Sequence, residues 1–278
     1  MSNKPDSDVV ETIWRNYLVR GEVPQPGSAA PLNYNSYRRW MHRLPSDPRC
    51  QVCYAPFEGF GGALVRRVLG IDRSKMNPRF CNNCERFVMM YHGGTELELS
   101  MLFADVRGST TLAEQRSALE FSRIIDRFYT AATDVLVRSN ALIEKLIGDE
   151  VVGLYVPGLA GPAHARAAIE AAQAILRATG HGDPAGSWIP IGIGVHTGTA
   201  YVGAVGSSEG VTDIAALGDA VNTTARLASQ AGTGEVLVSE EAASAAGIDT
   251  NGLEVRHLQL KGRAEPVDVR VIRAEPAG

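Results

Sequence analysis

The stretch LFADVRGST, residues 102–110, decides the fold of most of this chain. It lies at the end of an apolar run, residues 97–104, that predicts a buried strand. Asp105 follows that run directly, so its carboxylate is expected at the end of the strand. The apolar residues of 113–138 recur at near-helical spacing and predict a long helix after the strand.

The turn between this strand and helix is a candidate phosphate site. Gly108 permits a tight turn, and Thr111 and Glu114 have the spacing of a capping box, which marks the start of a helix. Free backbone N–H groups at such a start attract phosphate oxygens. The candidate phosphate turn consists of Gly108, Ser109 and Thr110.

The remaining segments extend this pattern to the end of the chain. Gly148-Asp149-Glu150 and Thr197-Gly198-Thr199 each predict a turn between two strands. The predicted strands are 141–147, 151–156, 189–196, 200–205, 236–239, 254–260 and 266–273, and the further helices are 163–178 and 219–229. The order strand, helix, strand, strand, helix, strand predicts an α+β fold: a ferredoxin-like βαββαβ sheet with helices on one face and extra C-terminal strands.

Composition is that of an ordinary globular protein, with 45% apolar and 21% charged residues. No apolar run reaches the roughly 18 to 20 residues that span a bilayer, and the first residues lack the apolar stretch of a signal peptide. We therefore expect a cytoplasmic protein without a membrane span.

Residue composition and charge divide the chain into three parts. Residues 1–33 are expected to form an arm and linker, 34–94 a small module, and 95–278 the large domain. Residues 38–86 carry a net charge of +6, whereas the whole chain carries −4.

The small module contains all four cysteines, in two C-x-x-C pairs. Paired knuckles are typical of a tetrahedral thiolate site, so structural Zn²⁺ is the first interpretation. An iron–sulfur cluster or a redox-switched dithiol pair uses the same ligands and stays open. The candidate ligands are Cys50, Cys53, Cys81 and Cys84.

Two carboxylates are candidates for a divalent cation. Asp105 ends a strand and Asp149 occupies the tip of a hairpin that is expected to pair beside it. Two carboxylates together with substrate phosphates are the usual ligands of Mg²⁺. Taken alone, each residue is equally consistent with a cap or turn role.

A later helix carries the candidate groups for sugar and phosphate. Asn222 and Arg226 are four residues apart and therefore share one helix face. Arginine presents a fixed fork of donors to developing negative charge, and asparagine can hold a sugar oxygen. The alternative is an ordinary solvated helix face.

Four strings together resemble class III adenylyl and guanylyl cyclases in order and approximate spacing. They are LFADVRGST (102–110), KLIGDEVVGLY (145–155), GIGVHTG (192–198) and LGDAVNTTARL (217–227). The resemblance covers residues 96–273, and it implies a catalytic domain that cyclises a nucleoside triphosphate.

The resemblance implies a role for each matched residue. Asp105, Asp149 and the Val106 carbonyl would hold two Mg²⁺ or Mn²⁺ ions. Asn222 would position the ribose and Arg226 would stabilise the transition state, and Lys261 would contact the triphosphate. Because the family shares its sites between protomers, a head-to-tail homodimer with two equivalent sites is implied.

Of the two base-reading positions that the resemblance implies, one matches the pattern of adenylyl cyclases and the other departs from it. Lys145 matches the purine-reading lysine of adenylyl cyclases, a position typically Glu in guanylyl cyclases, so ATP is the expected substrate. The second base-reading position is Ala215, which cannot hydrogen-bond through its side chain, and Asp213 is a candidate substitute. GTP or a pyrimidine nucleotide therefore stays open as the substrate.

The competing interpretation comes from the basic module. In that case the module would bind nucleic acid or protein, and the cyclase-like domain would only sense a nucleotide. A third interpretation combines the two, with the module regulating a working cyclase.

Overall fold

The computed structural model describes residues 5–24, 32–207, 212–259 and 266–274. Its helices are α1 (Ser7–Arg15), α2 (Tyr34–Arg43), α3 (Gly59–Leu69), α4 (Asn82–Met90), α5 (Ser109–Glu114), α6 (Ala118–Arg138), α7 (Pro157–Ala160), α8 (His164–Ala178), α9 (Asp219–Gln230) and α10 (Glu240–Ala246). Its strands are β1 (Glu22–Val23), β2 (Leu32–Asn33), β3 (Gly94–Val106), β4 (Leu142–Ile147), β5 (Glu150–Tyr155), β6 (Ile191–Gly206), β7 (Thr212–Leu217), β8 (Glu235–Ser239), β9 (Glu254–Leu258) and β10 (Val267–Arg273).

The chain forms two compact units. The first comprises residues 1–97, 156–161 and 200–217, and the second comprises 98–155, 162–199 and 218–278. Strands β3 and β6 contribute residues to both units. The boundaries after residues 33 and 94 that the sequence suggests stay a prediction.

The sheet of the second unit has the predicted ferredoxin-like order. Its strands follow one another as β4-β5-β3-β6-β8-β10-β9. When β3, β4, β5 and β6 are numbered 1 to 4 in chain order, the first four strands read 2-3-1-4, the arrangement of a βαββαβ unit. The antiparallel pairing of β3 with β5 sets Asp105 opposite Glu150. The strand order confirms the predicted α+β fold.

Helices cover both faces of this sheet at β8, whereas the sequence suggested one face. Val236, Leu237 and Val238 are all fully buried, although consecutive residues of a strand point to opposite faces. Leu237 belongs to an apolar cluster with Leu227 of α9, while α8 and α10 also contact β8. Helix α9 therefore packs on its own side of the sheet.

Glycine at position 194 permits this close packing of α9 on β6. A Cβ atom there would lie 2.4 Å from the backbone nitrogen of Ala228, which no side chain can accept. The backbone of α9 is therefore held directly against the strand, and the helix has a fixed position in the second unit.

Three local predictions were wrong. The helix expected over 113–138 is interrupted, because Ser117 and Glu120 form a reciprocal cap that starts α6 afresh. Thr111 and Glu114 do not form a capping box, since both lie inside α5. The expected turn at Thr197-Gly198-Thr199 is absent from β6, which continues from Ile191 to Gly206, and the Thr197 hydroxyl bonds to Ser100 Oγ at 2.6 Å instead.

The first unit has an aromatic core. Trp14, Tyr17 and Phe87 make edge contacts with ring centroids 5.4 to 6.0 Å apart, and Trp14 Nε1 donates to the carbonyl of Tyr91 at 2.7 Å. Strand β7, which the sequence did not indicate, pairs with the C-terminal part of β6. Among the described residues, every helix is too short or too polar to cross a membrane.

Candidate active site and cysteine centre

The first candidate site lies where β3 ends. Asp105 is half-buried, and its carboxylate forms an ion pair with the guanidinium of Arg107. Arg107 Nη1 also donates to the carbonyl of Ser229 at 2.8 Å, so the C-terminal end of α9 lies beside this turn. Burial lowers the pKa of Arg107, and the nearby carboxylates of Asp149 and Glu150 oppose that shift.

Asp149 lies next to this strand end, as the sequence predicts. The backbone N–H of Val106 donates to the Asp149 carbonyl at 3.1 Å. Gly148 adopts φ +63°, and its carbonyl accepts a hydrogen bond from the Tyr129 hydroxyl at 2.9 Å. Sequence reasoning missed Tyr129, which ties the hairpin tip to helix α6 and thereby fixes Asp149.

The surroundings of Asp105 and Asp149 favour a bound cation. Burial raises the pKa of Glu150, and the charges of Asp149 and Glu144 raise it further. Carboxylates are therefore concentrated here. Together with the Val106 carbonyl, Asp105 and Asp149 offer the oxygen ligands that Mg²⁺ and Mn²⁺ prefer, so these residues fit such an ion.

The candidate phosphate turn follows at once. Gly108 has φ +64°, a left-handed conformation that favours glycine, and helix α5 begins at Ser109. The backbone N–H groups in the first turn of α5, including that of Thr110, have no carbonyl acceptor within the helix. The turn is thus built as the sequence predicts, whereas its role stays a prediction.

Asn222 and Arg226 lie on the outer side of α9. Asn222 is exposed and Arg226 is half-exposed. The residues that α9 buries are Ala220, Thr223, Thr224, Leu227 and Ala228. Among the described residues, no hydrogen bond or ion pair joins either side chain to Asp105 or Asp149, so both are available to a ligand or to another chain.

Lys145 lies in β4 beside a buried acid. The pairing of β4 with β5 shifts register between Ile143 and Lys145, which marks a bulge at Glu144. Glu144 Oε1 lies 3.3 Å from Lys145 Nζ; the Glu144 side chain is 2% exposed and that of Lys145 is 45% exposed. The buried carboxylate holds the ammonium group in place. The sequence signal for this contact was Glu144, a charged residue within the apolar run 141–147, and the sequence analysis did not use it.

Ala215 and Asp213 lie on β7 in the first unit. Ala215 is half-buried opposite Gly203. Asp213 Oδ2 accepts a hydrogen bond from Arg79 Nη1 at 2.9 Å, so its carboxylate is already engaged. This contact argues against Asp213 as a substitute base reader. Lys261 falls outside the described residues.

The four cysteines converge in the first unit, although 27 residues separate the two pairs. Their Sγ atoms all lie within 4.8 Å of one another, and all four residues are buried. Cys53 and Cys81 Sγ are 3.7 Å apart. A tetrahedral site with metal–sulfur bonds of about 2.3 Å has edges of about 3.8 Å, whereas a disulfide bond measures about 2.05 Å.

Backbone donors complete this cysteine centre. The N–H of Cys81 donates to Cys50 Sγ at 3.3 Å, and that of Cys84 donates to Cys81 Sγ at 3.4 Å. Such bonds stabilise thiolates, which are the metal-binding form of cysteine. The donor set and its spacing therefore fit one tetrahedral metal ion, and a metal site is compatible with the geometry.

Comparison with known proteins identifies the larger part of the chain. The profile described as the adenylate and guanylate cyclase catalytic domain matches residues 94–270. An uncharacterised protein of Mycobacterium tuberculosis is 29% identical over 190 residues, which are 67% of this chain and 34% of that protein. An adenylate cyclase of the same organism is 29% identical over 167 residues, 60% of this chain and 37% of the relative. The chain thus spans about a third of the length of these relatives.

Solved structures agree with this match. The guanylyl cyclase Cya2 superimposes with a TM-score of 0.58 and 26% identity, covering 66% of this chain and 95% of that one. The adenylyl cyclase CyaB from P. aeruginosa gives a TM-score of 0.55 and 25% identity, covering 66% and 97%. Neighbours of both substrate classes share the fold.

Proposed function

Because the chain belongs to the family of class III adenylate and guanylate cyclase catalytic domains, we propose that it is an adenylyl cyclase, which converts ATP to 3′,5′-cyclic AMP and pyrophosphate. The observation that carries the choice of base is Lys145, a partly exposed ammonium held by the buried Glu144. Ammonium donates to a ring nitrogen of adenine, whereas guanine presents an N–H there. The relatives named adenylate cyclase support the same choice.

Class III cyclases use divalent metal ions, and here Asp105, Asp149 and the Val106 carbonyl would hold two Mg²⁺ or Mn²⁺ ions. Bound there, the ions supply Lewis acidity that lowers the pKa of the ribose 3′-hydroxyl and neutralises the triphosphate. The turn after Gly108 orients phosphate oxygens through backbone N–H groups.

Helix α9 supplies the remaining polar groups. Asn222 hydrogen-bonds the ribose, and Arg226 donates to the oxygens of the α-phosphate as charge develops on them. Since neither side chain contacts Asp105 or Asp149 of its own chain, we propose that they act in the site of a second chain. The active form is then a head-to-tail homodimer with two equivalent sites.

The nucleotide assay tests the activity directly. The full chain is incubated separately with ATP, GTP, CTP and UTP in Mg²⁺ or Mn²⁺, and products are identified by mass spectrometry. Cyclic AMP that disappears in Asp105→Ala supports the proposal. A different cyclic nucleotide would overturn the base assignment alone, and no product from any nucleotide would favour the nucleotide-sensing regulator.

Mixing inactive variants tests the shared site. Asp105→Ala and Arg226→Ala are each expected to lose activity, because each breaks both sites of its own homodimer. In a mixed dimer one of the two sites keeps all its residues. Each mixed dimer should therefore show about half of the activity of a wild-type dimer. If mixing restores nothing although mass spectrometry detects heterodimers, the shared site is refuted.

We further propose that a metal-bound cysteine module, with Zn²⁺ as its ion, regulates this activity through β7. Asn77 Nδ2 donates to the Thr212 carbonyl at 3.2 Å, and Arg79 pairs with Asp213. Both contacts come from the loop that leads into Cys81 and end on the strand that carries Ala215. The state of the cysteine centre can therefore shift the proposed base-reading position.

Arg79→Gln tests this regulation, with Arg67→Gln as its control because Arg67 is exposed on α3. We expect Arg79→Gln to change the ratio of ATP to GTP turnover and to make activity insensitive to metal removal from the cysteines. If Arg79→Gln and Arg67→Gln behave alike, β7 does not transmit the state of the module.

A further inference from the structure

Helix α3 presents an apolar face to solvent. Among the described residues, thirteen large apolar side chains are exposed, and four of them belong to this helix of 11 residues. Phe60, Leu64 and Val68 are spaced four residues apart, so they share one face, and they are 75%, 37% and 66% exposed. Large apolar side chains that are gathered on one exposed face, rather than scattered singly, are typical of a binding surface.

The opposite side of α3 is packed, so the exposed face has a fixed orientation within the first unit. Gly61, Gly62 and Val65 are buried. A Cβ atom at position 61 would overlap the carbonyl oxygen of Pro45, which holds the backbone of α3 directly against the preceding loop. The helix therefore cannot turn Phe60 inward without exposing Val65.

Arginines accompany this apolar face. Arg67 lies on the same side of α3, is exposed, and among the described residues forms no ion pair. Arg66 donates to the carbonyl of Phe57 at 3.1 Å and pairs with Asp72, and the guanidinium of Arg73 lies 5.5 Å from the centre of the Phe57 ring. Residues 58–75 carry four basic and two acidic side chains, a net charge of +2.

This combination of groups selects among the partners that could cover the face. Two copies of the chain meeting through α3 would bring cationic residues against each other. A nucleic acid would pair with the arginines but leave the apolar side chains without a role. An apolar groove in a protein would have to bury Arg67 within the stripe, which is costly for an unpaired charge.

An anionic lipid surface satisfies every group of the face. Apolar side chains enter the boundary between headgroups and acyl chains, while lipid phosphates and carboxylates attract the arginines. The long side chain of Arg67 can extend to the headgroups while its neighbours enter the boundary. Phe60 and Val68 are about 12 Å apart along the helix axis, so a helix lying parallel to the membrane inserts both together.

We propose that α3 docks the protein reversibly on anionic lipid membranes, with Phe60, Leu64 and Val68 inserted and Arg67 at the headgroups. The helix lies on the bilayer and does not cross it. This docking stands independently of the cyclase activity, because its evidence lies wholly within the first unit.

Vesicle sedimentation tests the docking with the full chain. The probes are vesicles of phosphatidylcholine mixed with phosphatidylserine, and vesicles of phosphatidylcholine alone. We expect the chain to bind the anionic vesicles more tightly than the neutral ones. Salt should weaken the binding to anionic vesicles, because it screens the attraction between arginines and headgroups.

Matched variants assign the binding to the face. Phe60→Ser and Val68→Ser should each lower the affinity for anionic vesicles, by roughly tenfold for Phe60→Ser. Val9→Ser is the apolar control, since Val9 is also exposed but lies on α1. Arg67→Gln should lower the affinity roughly fivefold, whereas Arg123→Gln, which removes the same charge from an exposed position of α6, should not. Unchanged thermal midpoints show that the variants are folded.

Tryptophan emission reports the insertion itself. Phe60→Trp adds a tryptophan on the exposed face to the three that the chain contains. Lipids brominated on their acyl chains, added to the anionic vesicles, should quench its emission more strongly than that of the wild-type chain.

Four results would overturn the proposal. They are no binding to anionic vesicles, no additional quenching in Phe60→Trp, equal affinities of Val68→Ser and Val9→Ser, and binding that depends on Arg67 but not on Phe60, since charge alone would then explain it. A changed oligomeric state of Phe60→Ser with unchanged vesicle binding would also overturn it, and would assign the face to a second copy of the chain.

Discussion

Glu235, at the start of β8, joins the last three strands of the sheet. It accepts hydrogen bonds from Arg256 at 2.9 and 3.0 Å and from Arg273 at 2.8 Å. The N–H of Gly232, which follows α9, donates to it at 2.9 Å. We predict that Glu235→Gln, which keeps the shape but removes the charge, measurably destabilises the second unit.

The size of this effect follows from the pKa. Hydrogen bonds from Arg256 are the largest cause that lowers the pKa of Glu235 from 4.5 to about 2. A difference of about 2.5 units corresponds to ~3.4 kcal/mol. Glu235 is 12% exposed but Arg256 is 30% exposed, so solvent screening reduces the expected loss to about 2 kcal/mol at pH 7. Because the folded pKa is depressed, the stabilisation is complete above about pH 4.5 and is lost as the pH falls toward 2.

Hydrogen exchange measures this loss where it occurs, in peptides that cover β8 and β10. The control is Glu240→Gln, since Glu240 pairs with Arg270 but its side chain is 47% exposed, and such surface pairs contribute about 0 to 1 kcal/mol. A loss below about 1 kcal/mol for Glu235→Gln, or equal losses in both variants, would refute the reasoning.

Three further predictions concern the proposed sites. Ala215→Thr adds a hydroxyl at the base-reading position, so the preference for ATP over GTP should rise about tenfold in kcat/KM. Arg107→Gln frees the Asp105 carboxylate, so calorimetry should show Mn²⁺ binding to the nucleotide-free chain severalfold more tightly. Chelation, or Cys81→Ser, should release one Zn²⁺ per chain and destabilise the first unit without unfolding it, seen as a lower midpoint of the thermal red shift in tryptophan emission; an unchanged midpoint after metal loss would contradict this.

Local patterns predicted those elements whose apolar periodicity is complete within one segment. The strand before Asp105, the hairpin around Asp149 and helix α9 all occur as expected. Strand β7 and helix α10 were missed, because β7 is short and mixed in polarity and depends on pairing with β6. The prediction of a turn at Thr197 was wrong because it, too, depended on tertiary pairing. Gly and Thr also fit a strand when neighbouring strands hold it extended.

The sequence by itself determined the family, the ferredoxin-like sheet and the residues that could carry the chemistry, because their spacing along the chain is characteristic. Tertiary structure alone decided which groups are engaged: Arg107 pairs with Asp105, Glu144 holds Lys145, and Arg79 holds Asp213. It also brought the Sγ atoms of two distant cysteine pairs within 4.8 Å of one another, an arrangement compatible with a metal site. Such contacts depend on the distances between separate segments, which no local pattern encodes.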